Sequence, residues 1–193
     1  MRFETQSGQM PLPQGYSYHP EGYLWFILPE ERFTALPGVV EVAGETFKLK
    51  SEFHVTVINA RRLAHMIAAE HQESISELER QIQGHLVKYL QGQSIEFVGF
   101  DDDLRLASSG DRKSIAVRVH MRGITGFFKY LESLYQVSIP AQPTHISLYT
   151  ITGAAVGIDT DQQMDRYARI ELPEVGEVLS SIKSSGLPIV PGT

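Results

Sequence analysis

The chain has 193 residues, 42% of them apolar and 21% charged, with a formal net charge of −6. That length favours one domain with a sizeable core, and the acidic balance argues against a broad nucleic-acid-coating surface while leaving room for a local basic cleft. The absence of cysteine excludes disulfides, thiolate metal sites and cysteine nucleophiles.

In chain order, residues 1–21 carry Pro11, Pro13, Gly15 and Pro20 and read as an irregular arm. Residues 22–28 are bulky and aromatic and read as a buried strand, with Trp25 in its core. Their run Tyr23-Leu24-Trp25-Phe26-Ile27-Leu28 is the longest strongly apolar one. It stops at Pro29, far short of a membrane span. The N-terminus lacks the basic region and apolar stretch of a signal peptide. A cytoplasmic location and no membrane partner are expected.

Residues 29–45 hold Pro29, Pro37, Gly38 and Gly44, which favours a short hairpin over a long helix. Residues 46–58 then alternate. Phe47, Leu49, Phe53, Val55 and Val57 fall around one buried face, with Lys48, Lys50, Glu52, His54 and Thr56 opposed, and a bulge is expected at Ser51. Helices are expected over 60–71 and 74–91, the second with a capping box at Ser74 and Glu77. Strands are expected at 94–100 and 103–107 around a turn at Asp101-Asp102-Asp103, and at 113–121. A helix follows over 124–136, striped by Ile124, Phe127, Phe128, Leu131 and Leu134. A strand at 144–151, a small-residue loop at 152–159, a last strand at 166–172, a helix at 174–183 and an extended tail at 186–193 complete the chain. This order lacks strict βα alternation and favours an α+β fold.

Two segments share one pattern: His54-Val55-Thr56-Val57 and His145-Ile146-Ser147-Leu148. On a strand, positions i and i+2 share a face. Each segment therefore buries its aliphatic residues and presents an imidazole with a hydroxyl. Roughly one of the seven histidines should have a hydroxyl residue two places on by chance, so either motif alone is weak. The pair gains weight from context. Each lies mid-strand, in the same phase, and each is preceded by another strong strand, 22–28 and 113–121.

The paired motifs resemble those of the two-histidine (2H) phosphoesterase superfamily, which includes 2′-5′ RNA ligase-like proteins and 2′,3′-cyclic phosphodiesterases. The resemblance spans roughly residues 22–172. It implies a single bilobal domain over 1–193, with two pseudo-symmetric antiparallel or mixed sheets around a central cleft and helices outside. The segment 29–46 is shorter than the family's usual helical connection, and the arm at 1–21 is outside its pattern. The implied activity is hydrolysis of a 2′,3′-cyclic phosphate or a related cyclic or 2′-5′ nucleotide, with ligation the lesser expectation.

Two imidazoles suit that chemistry. An ordinary pKa near 6.5 lets one ring take a proton while the other gives one. Here His54 is the expected acid and His145 the expected base, with Thr56 and Ser147 donating to phosphate oxygens. Lys50 and Arg118 are the candidate phosphate-binding cations. Tyr149 shares parity with His145 and Ser147, so it is a candidate base-stacking surface, as is Trp25 on its strand. The loop at 153–157 can bring backbone amides near a phosphate. No metal or other cofactor is expected: there is no H-E-x-x-H, and the acidic turn has no accompanying ligands. The expected partner is a small nucleotide or RNA end, bound by a monomer. The competing readings are a nucleotide- or RNA-end-binding module without turnover, and an α+β domain whose histidines are coincidental.

Overall fold

A computed structural model describes residues 11–71, 73–140 and 142–182. Among them the protein is a mixed α+β structure with two antiparallel sheets. The expected tail at 186–193, and residues 1–10 of the expected arm, lie outside the described residues.

The first sheet has three strands, β1 (Tyr16–His19), β2 (Tyr23–Leu28) and β5 (Phe53–Asn59), in the order β1-β2-β5. The second has six: β3 (Val39–Val42), β4 (Glu45–Leu49), β6 (Glu96–Ser109), β7 (Arg112–Arg122), β8 (His145–Thr150) and β9 (Ala168–Ile170). Their order is β3-β4-β8-β7-β6-β9. One core joins the sheets. Leu24, Phe53 and Val55 of the first sheet belong to the same buried cluster as Ile115, Val117 and Ile146 of the second. Helices α1 (Ala60–His71), α2 (Ile75–Leu90), α3 (Ile124–Tyr135), α4 (Asp161–Arg166) and α5 (Pro173–Ser181) complete the described elements, with a 3-10 turn at Glu30–Phe33.

Several expectations are corrected. Part of the supposed arm is β1, which pairs with β2 and places His19 opposite Tyr23. The hairpin sits later than 29–45, as β3 and β4 joined through Ala43 and Gly44, both at positive φ. The Asp101–Asp103 segment is not a turn but an irregular part of the single strand β6. Ser74 stands at the N-cap of α2 without a side-chain cap bond, and Glu77 instead binds Arg80. Helix α4 was missed: six residues give too little periodicity to read, and its one local signal is the N-cap at Thr160, whose hydroxyl accepts from the Gln163 amide at 3.1 Å.

The break at Ser51 is the most consequential correction. A bulge within one strand was expected, but the chain changes sheets there. β4 pairs with β8 through Lys48↔Thr150 and Leu49↔Tyr149. The Lys50 amide then donates to the Leu148 carbonyl at 2.9 Å. After Ser51 and Glu52 the chain enters β5 in the other sheet. Lys50 is therefore the corner residue between the two histidine strands.

Candidate functional site

The strand preceding each histidine is its antiparallel neighbour: β2 pairs with β5 and β7 with β8. Both histidine strands also carry an extra residue at the same place. In β5 the register passes from Thr56 to Ile58 while β2 advances one residue, so Val57 is the extra one. In β8 it passes from Ser147 to Tyr149, so Leu148 is the extra one. Each bulge falls three residues after its histidine. A bulge reverses the facing of every residue beyond it.

That reversal sorts the candidate residues. Before the bulges, His54 and Thr56 face one cleft together with His145 and Ser147. Beyond Val57, Asn59 is turned into the same cleft and Ile58 into the core. Beyond Leu148, Tyr149 is turned onto the face of its partner Ile115 and is fully buried. Tyr149 is thus not a stacking surface in the cleft. Burial, reinforced by the charge of Glu174, pushes its phenol up to about 12. Simple parity across an uninterrupted strand had put it beside Ser147.

The cleft encloses about 190 Å³. Lys50 lines it and is half-buried, and burial draws its pKa below the ordinary lysine value against the opposing charge of Glu52. Its ammonium makes no ion pair or hydrogen bond among the described residues. Its charge acts on both imidazoles. Neither the Thr56 nor the Ser147 hydroxyl has a protein hydrogen-bond partner among the described residues, although Ser147 is only 8% exposed.

The two imidazoles are held alike by Nδ1. His54 Nδ1 lies 3.2 Å from Glu52 Oε1, and His145 Nδ1 lies 3.1 Å from the Pro143 carbonyl. With Nδ1–H donating in each case, Nε2 is left as the free nitrogen. Burial pushes His54 down to about 4, helped by the charges of Lys50 and His145 and opposed by Glu52. Burial also lowers His145, where the Pro143 carbonyl opposes and Arg118 assists. Both rings are neutral at pH 7.

Trp25 is not a core residue. Its ring stacks on His54 at 3.8 Å between centroids and 11° between planes. His19 covers its other side at 4.4 Å and 28°. Both faces are occupied, so Trp25 offers no face to a base. It fixes the plane of His54 instead. The β1 strand that brings His19 here was hidden in a Gly/Pro-rich stretch.

Arg118 is also reassigned. It is the cross-strand partner of His145, but its guanidinium binds Asp161 Oδ1 at 2.5 Å and Asp165 Oδ1 at 2.6 Å. These bonds tie α4 to β7, and Arg118 has no free charge for a ligand. His120, two residues on, is exposed and lines a separate groove. Sequence reading missed Asn59, Tyr23, Arg112 and Asp159, which also line the cleft. Only the strand parity of Tyr23 with Trp25 could have pointed to one of them. In the small-residue loop, Ala155, Val156 and Gly157 line the cleft. Two of the amides there bond internally, Gly153 to Thr150 Oγ1 and Val156 to Ser114 Oγ.

Among the described residues no group of three or more His, Cys, Asp or Glu is placed to hold a metal ion, and no helix is long and apolar enough to cross a membrane. Compared with known proteins, the chain matches no family model, no curated protein and no solved structure.

Proposed function

We propose that the protein is a phosphoesterase of the two-histidine type, hydrolysing a 2′,3′-cyclic phosphate or a related cyclic or 2′-5′ nucleotide without a metal ion. The observation that carries this reading is the placement of His54 and His145, from strands of different sheets, on one cleft that Lys50 also lines, with its charge acting on both rings. A half-buried lysine whose ammonium makes no ion pair, with Glu52 already turned to His54, is a receptor for an anion. The Thr56 and Ser147 hydroxyls supply donors to the two remaining phosphate oxygens.

A bound phosphate changes the protonation of the site. It neutralises Lys50 and adds negative charge beside both rings, which raises both imidazole pKa values. His54 then carries the proton, because Glu52 stands behind its Nδ1 and stabilises the imidazolium. His145, backed by a neutral carbonyl, stays the base. In the reaction the oxygen of water attacks phosphorus and its proton passes to His145 Nε2. The P–O bond to one ribose oxygen breaks, and His54 Nε2–H protonates that oxygen. The product is a phosphomonoester, and the sites exchange roles in the reverse direction.

A binding module without turnover is the second reading. The depressed imidazole pKa values favour it, since the resting site holds no general acid at neutral pH. One experiment separates the two. Nucleoside 2′,3′-cyclic phosphates are incubated with the protein in EDTA and the products resolved by chromatography. Hydrolysis lost by roughly 10²–10⁴-fold in both His54→Ala and His145→Ala is expected. Full activity in either folded variant, or no product from the wild type, overturns the proposal.

A further inference from the structure

A second groove of about 730 Å³ opens from the cleft and shares Trp25, Lys50, His54 and Arg112 with it. Glu21 and Ala155 are shared as well, and its remaining walls include Lys48, His19, Gly153 and Ala154. Lys48 and Arg112 are exposed, and neither makes an ion pair among the described residues. Their neighbours differ: Lys113 binds Glu45 and Arg122 binds Glu96. The two groove carboxylates both sit against imidazoles, Glu52 on His54 and Glu21 on His19. The result is three cations, Lys48, Lys50 and Arg112, none in an ion pair among the described residues and with Glu52 the opposing charge that acts on Lys50, along one channel of an otherwise acidic protein.

Their spacing suits a chain of phosphates. Lys48 and Lys50 are two residues apart in extended backbone, a separation of about 7 Å, comparable with the distance between successive phosphates of a single nucleic-acid strand. Lys50 serves the phosphate between the histidines. Lys48, which lines the second groove and not the cleft, then has no role toward a mononucleotide carrying one phosphate, while Arg112 lines both.

We infer that this groove binds a second phosphate of the substrate, the phosphodiester preceding the reacting one. The preferred substrate class is therefore an oligonucleotide end of at least two nucleotides, an inference that rests on the phosphoesterase reading above. His19, stacked on Trp25 and 34% exposed, lies along the same channel.

Three probes test it: adenosine 2′,3′-cyclic phosphate, diadenylate ending in a 2′,3′-cyclic phosphate, and the same dinucleotide with a neutral methylphosphonate linkage. The charged dinucleotide should be hydrolysed with at least tenfold higher kcat/KM than the other two. The slope of log kcat/KM against log salt should be steeper by ~0.7, the value for one further phosphate on a single strand. Lys48→Gln should remove most of that preference and the extra slope while leaving hydrolysis of the mononucleotide unchanged. Equal use of the charged and methylphosphonate dinucleotides, or a preference that survives Lys48→Gln, overturns the inference and leaves the phosphoesterase reading standing. Failure to hydrolyse any of the three overturns both.

Discussion

The Lys50 amide donates to the Leu148 carbonyl at 2.9 Å, and the two halves of the site meet at that bond. Leu148 is the extra residue of the β8 bulge, three places after His145. Lys50 is the corner from which the chain crosses to the other sheet, four places before His54. The corner sets the lysine charge where it acts on two imidazoles carried by different sheets. The same bond carries the β4–β8 register one residue past Leu49↔Tyr149, on the edge of β8 opposite the bulged one.

Removing the Lys50 charge should therefore affect both binding and protonation. Lys50→Gln is expected to raise KM for the cyclic phosphate by roughly tenfold, about 1.4 kcal/mol of lost charge-assisted binding. In the unliganded protein it should raise the His54 pKa, because a neighbouring cation has been removed. Nuclear magnetic resonance titration of the imidazole protons reads that shift directly. An unchanged His54 titration in folded Lys50→Gln would show that the charge does not act there.

The stack on Trp25 gives a second handle, since Trp25 is the sole tryptophan. A protonated imidazole on its face is a cation–π pair and alters its emission. In a His19→Gln background only His54 remains stacked, so the emission should change in one step centred near pH 4. Inorganic phosphate should move the midpoint upward. Trp25→Leu should lower kcat more than it raises KM, and Trp25→Phe should restore much of the loss, because a ring on that face is what holds the plane of His54. Equal effects of Leu and Phe would rule out this positioning role.

The histidine faces were legible from the sequence because period-2 alternation is a local property, and Phe53, Val55 and Ile146 are buried as that pattern requires. What the pattern could not carry were the interruptions. Val57 and Leu148 look like any other strand aliphatics, yet their bulges turn Asn59 into the cleft and Tyr149 out of it. The alternation across residues 46–58, broken only at Ser51, likewise concealed a change of sheet, since both strands bury the same parity. Arg118 was placed correctly on its strand. Its pairing with Asp161 and Asp165 depends on a short helix, α4, that has no periodic signal of its own.

The depressed imidazole of His54 also makes stability depend on pH. Between about pH 6.5 and 4 the unfolded chain binds a proton at this residue that the folded chain refuses. Stability therefore rises with pH across that window and is lost as pH falls through it. Thermal melts should show a lower midpoint at pH 5 than at pH 7. His54→Phe keeps a ring against Trp25 without the proton and should flatten part of the dependence. A wild-type midpoint independent of pH over this range would contradict the burial of a neutral imidazole.

Gly22 supports the site through the backbone. It joins β1 to β2 with a φ of +94°, where a side chain is strained, and a Cβ there would overlap the Arg61 side chain of α1. Its backbone is bonded on both sides: the amide donates to the His19 carbonyl at 2.8 Å, and the carbonyl receives the Arg61 amide at 3.2 Å. Arg61 in turn binds Glu79, which also accepts the Tyr18 hydroxyl at 2.6 Å, so the turn is fastened to both α1 and α2. Gly22→Ala should destabilise the fold by about 1–3 kcal/mol, the usual cost of a strained backbone position. The displaced turn carries His19 and Glu21 with it, so the variant should lose part of the Trp25 stacking signal at temperatures where it is still folded. A variant as stable as the wild type, with the same emission titration, would show that the turn does not constrain the stack.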